Sequence, residues 1–384
     1  MSEDVYIVGV GLSDFSRNAA FSARARALSA IGDALGDAGV GWAEVGMAYG
    51  GSDAAGLADT LVSDLGLTGV AFTNVRNGCA TGGSALTSAM LAVRSGAASV
   101  ALAVGFDEHP PGAFAPEPQE WGLPEAYGAA GLMVTTQFFG AKIARYLHDF
   151  DISRDALAAV AEKAYRNGAL NPRAWRREPR TAAEILAAPM VNDPLTKLMF
   201  CTPGQGGAAV VVADRATAAR LGGPSVRIRS VAVRTRPFGS FEVFAPWVPG
   251  GELTSVTRDA SRAAFEAAGV GAADIDVVQV QDTESGAEIM HLAECGFCDD
   301  GEQERLLADG DTEISGRLPV NTDGGCLANG EPIGASGLRQ VIEVVEQLRG
   351  RCGDRQVPGE PRLGFTHVYG APGVSACTVL EAVR

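Results

Sequence analysis

Short apolar runs alternate with amphipathic stretches along this chain, and glycine-rich turns join them. One apolar run opens the first half at residues 5–11, and another opens the second half at residues 226–233. Glycines followed by an apolar run recur at residues 204–213 and 370–381. Strands that alternate with helices across short glycine turns form largely buried sheets, so the pattern predicts an α/β fold with two similar halves.

Each half also contains a unit of strand, glycine-rich turn, helix and strand. The first unit surrounds Cys79 and ends in a strand near residues 98–105, and the second covers residues 318–369 with a helix that ends at Leu348. Residues 108–190 interrupt this order with clustered prolines and a polar, arginine-containing helical stretch. An insertion of this length is typical of a functional lid, so we expect it to cover the active site.

The pattern therefore predicts three parts in a chain long enough for two or three domain-sized units. The N-terminal half comprises residues 1–107 and 191–220, and the covering insertion comprises residues 108–190. The C-terminal half comprises residues 221–384.

Composition narrows the classes of function. The 384 residues carry a net charge of −15, which argues against nucleic acid as a partner because phosphate binding needs a concentrated basic surface. No apolar run reaches the length of a membrane span, and the acidic start lacks the basic and apolar regions of a signal peptide. Seven cysteines without a disulfide-scaffold spacing predict reduced thiols and a cytoplasmic location.

Cys79 is the main candidate for chemistry. It follows the turn-forming pair Asn77-Gly78 and precedes an apolar, periodic stretch, which predicts a cysteine at the N-terminus of a helix. The positive end of a helix dipole and its unpaired N–H groups favour the thiolate over the thiol, so the pattern predicts a nucleophile. A buried structural cysteine is the alternative interpretation.

Two other patterns do not develop into a site for a bound group. Gly9-Val10-Gly11 follows a strand, but the third glycine of a dinucleotide fingerprint is absent at the required spacing. Cys295 and Cys298 have the spacing of half a zinc site, and no second pair follows at a suitable distance. We therefore expect no metal and no permanently bound cofactor.

Four segments together resemble the thiolase superfamily, and most closely its sterol-carrier-protein-type, or lipid-transfer-protein-like, members. The segments are residues 77–83, 321–325, 330–337 and 369–373, and the resemblance covers essentially the whole chain. It implies the thiolase fold, in which two fused similar halves with two mixed sheets form a five-layer αβαβα sandwich with a covering loop domain. It also implies a homodimer and a coenzyme A thioester as substrate.

The resemblance also assigns catalytic positions, with departures from the family pattern. The nucleophilic cysteine matches Cys79, and Gln281, followed by Asp282, stands where the family has asparagine or histidine. Glu331 stands in place of the family's histidine. The second cysteine of the family falls on Gly370, where no thiol is present. Backbone N–H groups at Cys79 and Gly370 are candidate oxyanion donors.

The leading hypothesis is thiolase-like acyl transfer through Cys79, which makes or breaks a C–C bond beside the thioester in the degradation of lipids, sterols or related acids. Glu331 would then act as the base. Burial would favour its protonated form, whereas the start of a helix beside Pro332 would favour its carboxylate. The sequence leaves this balance open, together with a helix-capping role for Glu331.

Two alternatives remain. Retro-aldol cleavage of a β-hydroxyacyl-CoA needs no acyl-enzyme, and Glu331, Asp282 and Tyr369 are candidates for its proton transfers. A catalytically silent subunit that binds acyl-CoA would show the same departures from the family pattern. Sterol-type relatives often act with a small acyl-CoA-binding partner protein, so the resemblance implies such a partner as well.

A basic cluster lies within the insertion. Arg166, Arg176 and Arg177, with Trp175 beside them, resemble the covering-loop segment of the family. Guanidinium groups suit the phosphates of coenzyme A and an indole can stack on its adenine, so we expect these residues to bind the cofactor portion of the substrate. A solvated helix face with arginine–glutamate pairs is the alternative.

Overall fold

A computed structural model describes residues 4–16, 20–240, 242 and 254–383 of the chain. The strands in these residues are β1 (Val5–Leu12), β2 (Met47–Gly51), β3 (Ala71–Asn74), β4 (Val100–Glu108), β5 (Met190–Asn192), β6 (Leu195–Thr196), β7 (Gln205–Asp214), β8 (Val226–Thr235), β9 (Val277–Gln279), β10 (Leu363–Gly370) and β11 (Val374–Ala382). The helices are α1 (Ala23–Ala38), α2 (Val62–Leu65), α3 (Thr81–Arg94), α4 (Ala126–Ala129), α5 (Thr135–Asp149), α6 (Arg154–Ala169), α7 (Ala182–Leu186), α8 (Arg215–Leu221), α9 (Val256–Ala268), α10 (Ser285–Glu294), α11 (Gln303–Ala308), α12 (Gly325–Asn329) and α13 (Ile333–Leu348).

The large sheet is mixed and has nine strands in the order β3-β2-β4-β7-β1-β8-β11-β10-β9. The first five strands belong to the N-terminal half and the last four to the C-terminal half. The two halves join where β1 pairs with β8, from Val5 opposite Ile228 to Ile7 opposite Val226. The resemblance implies two mixed sheets. In this structure they form one continuous sheet, because β1 and β8 are hydrogen-bonded along their edges.

The two halves repeat the same local signals. Helices α1 and α9 each end at a glycine in the left-handed conformation and lead into a short 3-10 turn. The N–H of Gly41 donates to Glu44 at 2.8 Å, and the N–H of Gly271 donates to Asp274 at 2.8 Å. Identical capping at equivalent places confirms the predicted duplication, since each half uses the same chemistry to end its helix.

Helices α3 and α13 form the central layer between the halves. Both pack against strands of the N-terminal and the C-terminal half, whereas α1 covers β1 and β7 on one outer face and α9 covers β8 and β11 on the other. The central helices approach closely at glycines, because a Cβ on Gly82 would lie 2.7 Å from the backbone nitrogen of Leu338. The layers are therefore α1, the N-terminal part of the sheet, the central helices α3 and α13, the C-terminal part of the sheet, and α9. This order confirms the predicted five layers.

The segment between β4 and β7 contains helices α4 to α7 and the small β5–β6 hairpin. Its helix α6 is tied to α10 of the C-terminal half by a buried ion pair, in which Lys163 Nζ donates to Glu288 Oε1 at 2.5 Å. The proposed boundaries at 107/108, 190/191 and 220/221 stay a prediction. In the described residues, no helix has both the length and the apolar character that crossing a bilayer requires.

Candidate active site

A cavity of about 950 Å³ lies where both halves meet the insertion. Cys79, Cys201, Glu331 and Tyr369 line it, and the proline-rich segment 109–116 forms much of the remaining wall. The insertion therefore contributes directly to the cavity. Four of the residues singled out from the sequence line this cavity, although nearly three hundred positions separate the first from the last; they are Cys79, Arg176, Glu331 and Tyr369.

Local turn chemistry places Cys79 just before α3. Gly78 has a φ of 54°, and a Cβ there would lie 2.9 Å from the carbonyl oxygen of Ala371. The N–H of Asn77 donates to Thr81 Oγ1 at 2.9 Å, which joins the turn to the helix. Glycine is needed in this left-handed, crowded position, so the Asn-Gly pair sets the direction in which the cysteine enters the cavity.

The electrostatic surroundings of Cys79 differ from the expectation. Burial raises the pKa of the Cys79 thiol well above its usual value, and the negative charge of Glu331 and a hydrogen bond to it raise that pKa further. The expectation of a resting thiolate is therefore wrong, because burial and the neighbouring acid outweigh the helix N-terminus. The thiol instead lies beside the Glu331 carboxyl, and both groups line the cavity.

Glu331 is fully buried two residues before α13. Gln281 Nε2 donates to both of its carboxyl oxygens, at 3.3 and 3.2 Å, and Gln340 Nε2 donates to Gln281 Oε1 at 3.3 Å. The N–H of Glu331 donates to the carbonyl of Thr202 at 2.8 Å. Gln281 thus acts on the site through Glu331, whose side chain it holds beside Cys79.

Asp282 lies behind the cavity and is not among its lining residues. Its carboxyl oxygens accept the N–H groups of Cys326 at 2.6 Å and Leu327 at 3.3 Å, at the start of α12. Burial raises the pKa of Asp282 well above its usual value, although the charge of Arg339 lowers it. This position suits a helix cap better than the predicted proton transfer to substrate.

Tyr369 lines the cavity at the end of β10, and its hydroxyl donates to Glu242 Oε2 at 2.6 Å. Burial raises the pKa of Tyr369 well above its usual value, and the charge of Glu242 adds to this. Gly370 lies behind the cavity wall, where a Cβ would lie 2.3 Å from the carbonyl oxygen of Asn77. Glycine at this position lets the β10 end approach the Cys79 turn.

Two family models match the chain. The one described as "Thiolase, N-terminal domain" matches residues 5–178, and the one described as "Thiolase C-terminal domain-like" matches residues 252–382. An acetyl-CoA acetyltransferase of Methanothermobacter thermautotrophicus is 33% identical to this chain, over 97% of this chain and 98% of the relative. The chain belongs to the thiolase family.

Two further proteins are similar to this thiolase-family chain. Sterol carrier protein 2 of Homo sapiens is 29% identical over 98% of this chain and 72% of the human protein. The solved structure of an "Ltp2-ChsH2(DUF35) aldolase" matches with a TM-score of 0.88 at 24% identity, over 100% of this chain and 99% of that one. The resemblance and the fold are confirmed, and the protein is a thiolase-like enzyme that acts on acyl-CoA thioesters.

The residues of the predicted basic cluster make different contacts in this thiolase-family protein. Arg166 pairs with Glu313 at 2.5 Å and Arg177 is exposed, and neither lines the cavity. Arg176 does line it, but its guanidinium donates to the backbone carbonyls of Phe200 at 2.9 Å and Leu327 at 3.0 Å.

Trp175 lies beside this cluster, and its ring centroid is 5.9 Å from the guanidinium carbon of Arg176. It is half-buried and lies outside the cavity lining. The four residues predicted to bind coenzyme A therefore do not converge on one surface, because Arg176 is turned inward to bond buried carbonyls.

Two cavity residues carry no sequence signal for a thiolase site. Cys201 lines the cavity close to Glu331, and His109 lines it with its Nε2 3.5 Å from Asp107 Oδ2. Cys201 lies in an apolar stretch before a glycine turn, and His109 begins the proline-rich segment, so neither stands in a pattern that predicts chemistry. Their roles depend on chain segments that only the fold brings together.

Proposed function

We propose that this enzyme transfers an acyl group between a coenzyme A thioester and Cys79, and so makes or breaks the C–C bond beside the thioester. One observation carries the proposal, namely that the Cys79 thiol and the Glu331 carboxyl line the same cavity of about 950 Å³, with the acid close enough to raise the pKa of the thiol. A nucleophile with an adjacent base is the arrangement that covalent acyl transfer requires.

The geometry supports a specific division of roles. As the Cys79 sulfur attacks the carbonyl carbon, Glu331 takes the thiol proton, which makes a raised resting pKa compatible with nucleophilic attack. Gln281 keeps the Glu331 carboxyl in place through its two contacts. The backbone N–H of Cys79, in the turn before α3, is a candidate donor to the oxyanion.

The lining of the cavity supports an acyl chain of substantial size. The segment 109–116 contributes mainly proline, alanine and phenylalanine side chains, which suit the burial of an apolar acyl group. Arg76 and Lys197 are exposed cations that also line the cavity, and we propose that they meet the phosphates of coenzyme A. We also propose a role in lipid or sterol degradation, which this apolar lining supports.

Retro-aldol cleavage of a β-hydroxyacyl-CoA is the second candidate. It is favoured by Tyr369, whose aromatic side chain lines the cavity and whose hydroxyl is bonded to a buried acid. The structural neighbour is named as an aldolase, which agrees with this reaction class. In this case the Cys79 thiol would stay protonated throughout, and a base would remove the substrate hydroxyl proton.

We further propose a cytoplasmic homodimer with a small partner protein. The unpaired state of all seven cysteines agrees with a reducing compartment. The name of the structural neighbour joins two components, Ltp2 and ChsH2, which supports a partner subunit. The edge position of β3, just before the Cys79 turn, offers a surface for a second copy.

The test compares Cys79→Ala with the wild-type enzyme on β-ketoacyl-CoA plus coenzyme A and on β-hydroxyacyl-CoA. If acyl transfer operates, the variant loses at least about a thousandfold in turnover, together with the mass shift of an acyl-enzyme. Unchanged turnover in the variant would reject acyl transfer and favour retro-aldol cleavage. Thermal stabilisation by coenzyme A ligands without turnover of either substrate, with and without a partner protein, would indicate a binding subunit.

A further inference from the structure

Cleavage beside a thioester leaves an enolate on the α-carbon, and that carbon must receive a proton. Gly370, the position where the family resemblance places a second cysteine, has no side chain to supply it. Among the cavity-lining residues that the structure describes, the thiols are those of Cys79 and Cys201. Cys201 belongs to a different segment of the chain, on the loop that follows the β5–β6 hairpin.

Backbone pairing places Cys201 between the two segments that form the Glu331 site. The N–H of Cys201 donates at 2.9 Å to the carbonyl of Thr283, which follows Gln281 by two residues. One residue further on, the carbonyl of Thr202 accepts the N–H of Glu331 at 2.8 Å. The loop therefore runs alongside the backbone of Glu331. Its Cys201 thiol lines the same cavity as Glu331.

The surroundings of Cys201 keep its proton in place at neutral pH. Burial raises the pKa of the Cys201 thiol well above its usual value, and the charge of Glu331 raises it further. A thiol that stays protonated is available as an acid, whereas a carbon-centred enolate is a much stronger base than a thiolate. The direction of proton transfer is therefore from sulfur to carbon.

Other groups near the cavity are less suited to this role. The Tyr369 hydroxyl already donates its proton to Glu242. Cys326 is fully buried and lies outside the cavity lining. His109, which lines the cavity beside Asp107, and Glu331, once it holds the Cys79 proton, are the remaining rivals.

We propose that Cys201 is the acid that protonates the α-carbon and the base that activates coenzyme A, an inference that rests on the proposed acyl transfer through Cys79. In cleavage, the Cys79 sulfur bonds to the β-carbonyl carbon and its proton passes to Glu331. The Cα–Cβ electron pair moves to Cα, which takes the Cys201 proton. The Cys201 thiolate then accepts the proton of coenzyme A, whose sulfur displaces Cys79, and Glu331 returns its proton to Cys79.

The test separates carbon protonation from acylation. Acetyl-CoA and propionyl-CoA are incubated in D₂O with the full-length enzyme, and α-deuterium is followed by NMR while the acyl adduct on Cys79 is followed by mass spectrometry. Cys201→Ala and Cys201→Ser should each lose at least about a hundredfold in α-exchange. Acylation of Cys79 should fall less than about tenfold, because a thiolate leaves without prior protonation.

Matched variants make each outcome decisive. Cys298 is a part-buried cysteine that does not line the cavity. The variant Cys298→Ser therefore serves as the control for cysteine removal. Exchange that persists in both Cys201 variants overturns the inference, as does its loss in His109→Gln alone. Equal loss of exchange and acylation in a folded Cys201→Ser protein also overturns it, because Cys201 would then merely shape the site. Absence of both signals in the wild-type enzyme rejects the proposed function itself.

Discussion

The Cys79–Glu331 pair shows how a carboxyl group beside a cysteine changes the resting protonation of its thiol. An acid beside a buried thiol opposes ionisation, whereas an imidazole in that position would accept the proton and become a cation. Gln281 and Gln340 then form a chain of amides that directs the Glu331 carboxyl toward the sulfur. The negative charge of Glu331 therefore favours the protonated form of the Cys79 thiol.

Glu331→Gln should make Cys79 more reactive toward a simple alkylating reagent at a given pH. The substitution removes the negative charge that raises the pKa of Cys79, so that pKa falls and the thiolate appears at lower pH. Iodoacetamide labelling of the Cys79 peptide is measured from pH 6 to 10. The pH at which its labelling rate rises should be lower in Glu331→Gln than in the wild type.

Cys298 in the same digest is the internal reference for this measurement, because acidic residues of its own loop, and not Glu331, act on its thiol. Its labelling profile should stay in place when Glu331 is changed. An unchanged Cys79 profile in Glu331→Gln would show that the acid does not control the thiol.

At the scale of elements, the α3–α13 contact decides where Cys79 and Glu331 meet. Each residue lies just before one of these two helices, so the distance between the helices sets the distance between the two side chains. Glycines permit the close approach, since a Cβ on Gly82 would lie 2.7 Å from a backbone nitrogen of α13. Backbone atoms cannot move aside as a flexible side chain does.

Gly82→Ala should destabilise the protein by about 1–3 kcal/mol, because the added methyl group forces the central helices apart. Gly32→Ala is the matched control in α1, where an added Cβ meets no atom within 4 Å. It should stabilise by about 0.5–1 kcal/mol through helix propensity. Urea unfolding measures both, and equal effects in the two variants would contradict this account of the helix contact.

Glu284, at the N-cap of α10, predicts a pH-dependent stability. Burial raises its pKa to about 8, against the opposing effects of the Gly286 amide and the Lys142 charge. The folded state then binds this proton up to about pH 8, whereas the unfolded state releases it above the ordinary glutamate pKa of 4.5. Stability contributed by this group therefore falls as pH rises from about 5 to 8.

In Glu284→Gln this pH dependence should vanish. The variant should gain stability relative to wild type with rising pH, by up to about 1.4 kcal/mol per pH unit in that range. Thermal unfolding of both proteins at pH 5, 6.5 and 8 provides the measurement. If the stability difference between the two proteins is the same at all three pH values, Glu284 is ionised in the folded protein. That constant difference would then come from the altered cap alone.

At the scale of the whole molecule, duplication creates the cavity. Each half contributes a helix to the central layer, and the insertion closes the space above their N-terminal ends. The β3 edge of the nine-stranded sheet lies next to the same site, with Ala71 and Thr73 exposed. An open strand edge of this kind favours pairing with another strand.

We expect the wild-type protein to elute at twice the mass of one chain in size-exclusion chromatography with light scattering. The double variant Ala71→Lys, Thr73→Lys should elute as a monomer, because charges on an edge strand oppose pairing. Leu186→Lys on α7, where the leucine is 40% exposed, is the control and should remain dimeric. A dimeric double variant would place the interface elsewhere, and a monomeric wild type would contradict the homodimer.

The sequence by itself determined the α/β alternation, the two halves and the placement of Cys79, because capping glycines, apolar runs and the Asn77-Gly78 turn act over a few neighbouring residues. It also carried the family resemblance that the comparisons confirm.

Only the tertiary structure decided the protonation of the Cys79 thiol and which side chains lie beside it. Glu331 and Cys201 approach it from segments more than a hundred residues away, and burial with a like charge is a property of the folded interior. For the same reason Asp282 became a helix cap and Arg176 turned toward backbone carbonyls. A buried polar group forms hydrogen bonds with whichever groups the packing brings near it. The order of residues along the chain does not show which groups those are.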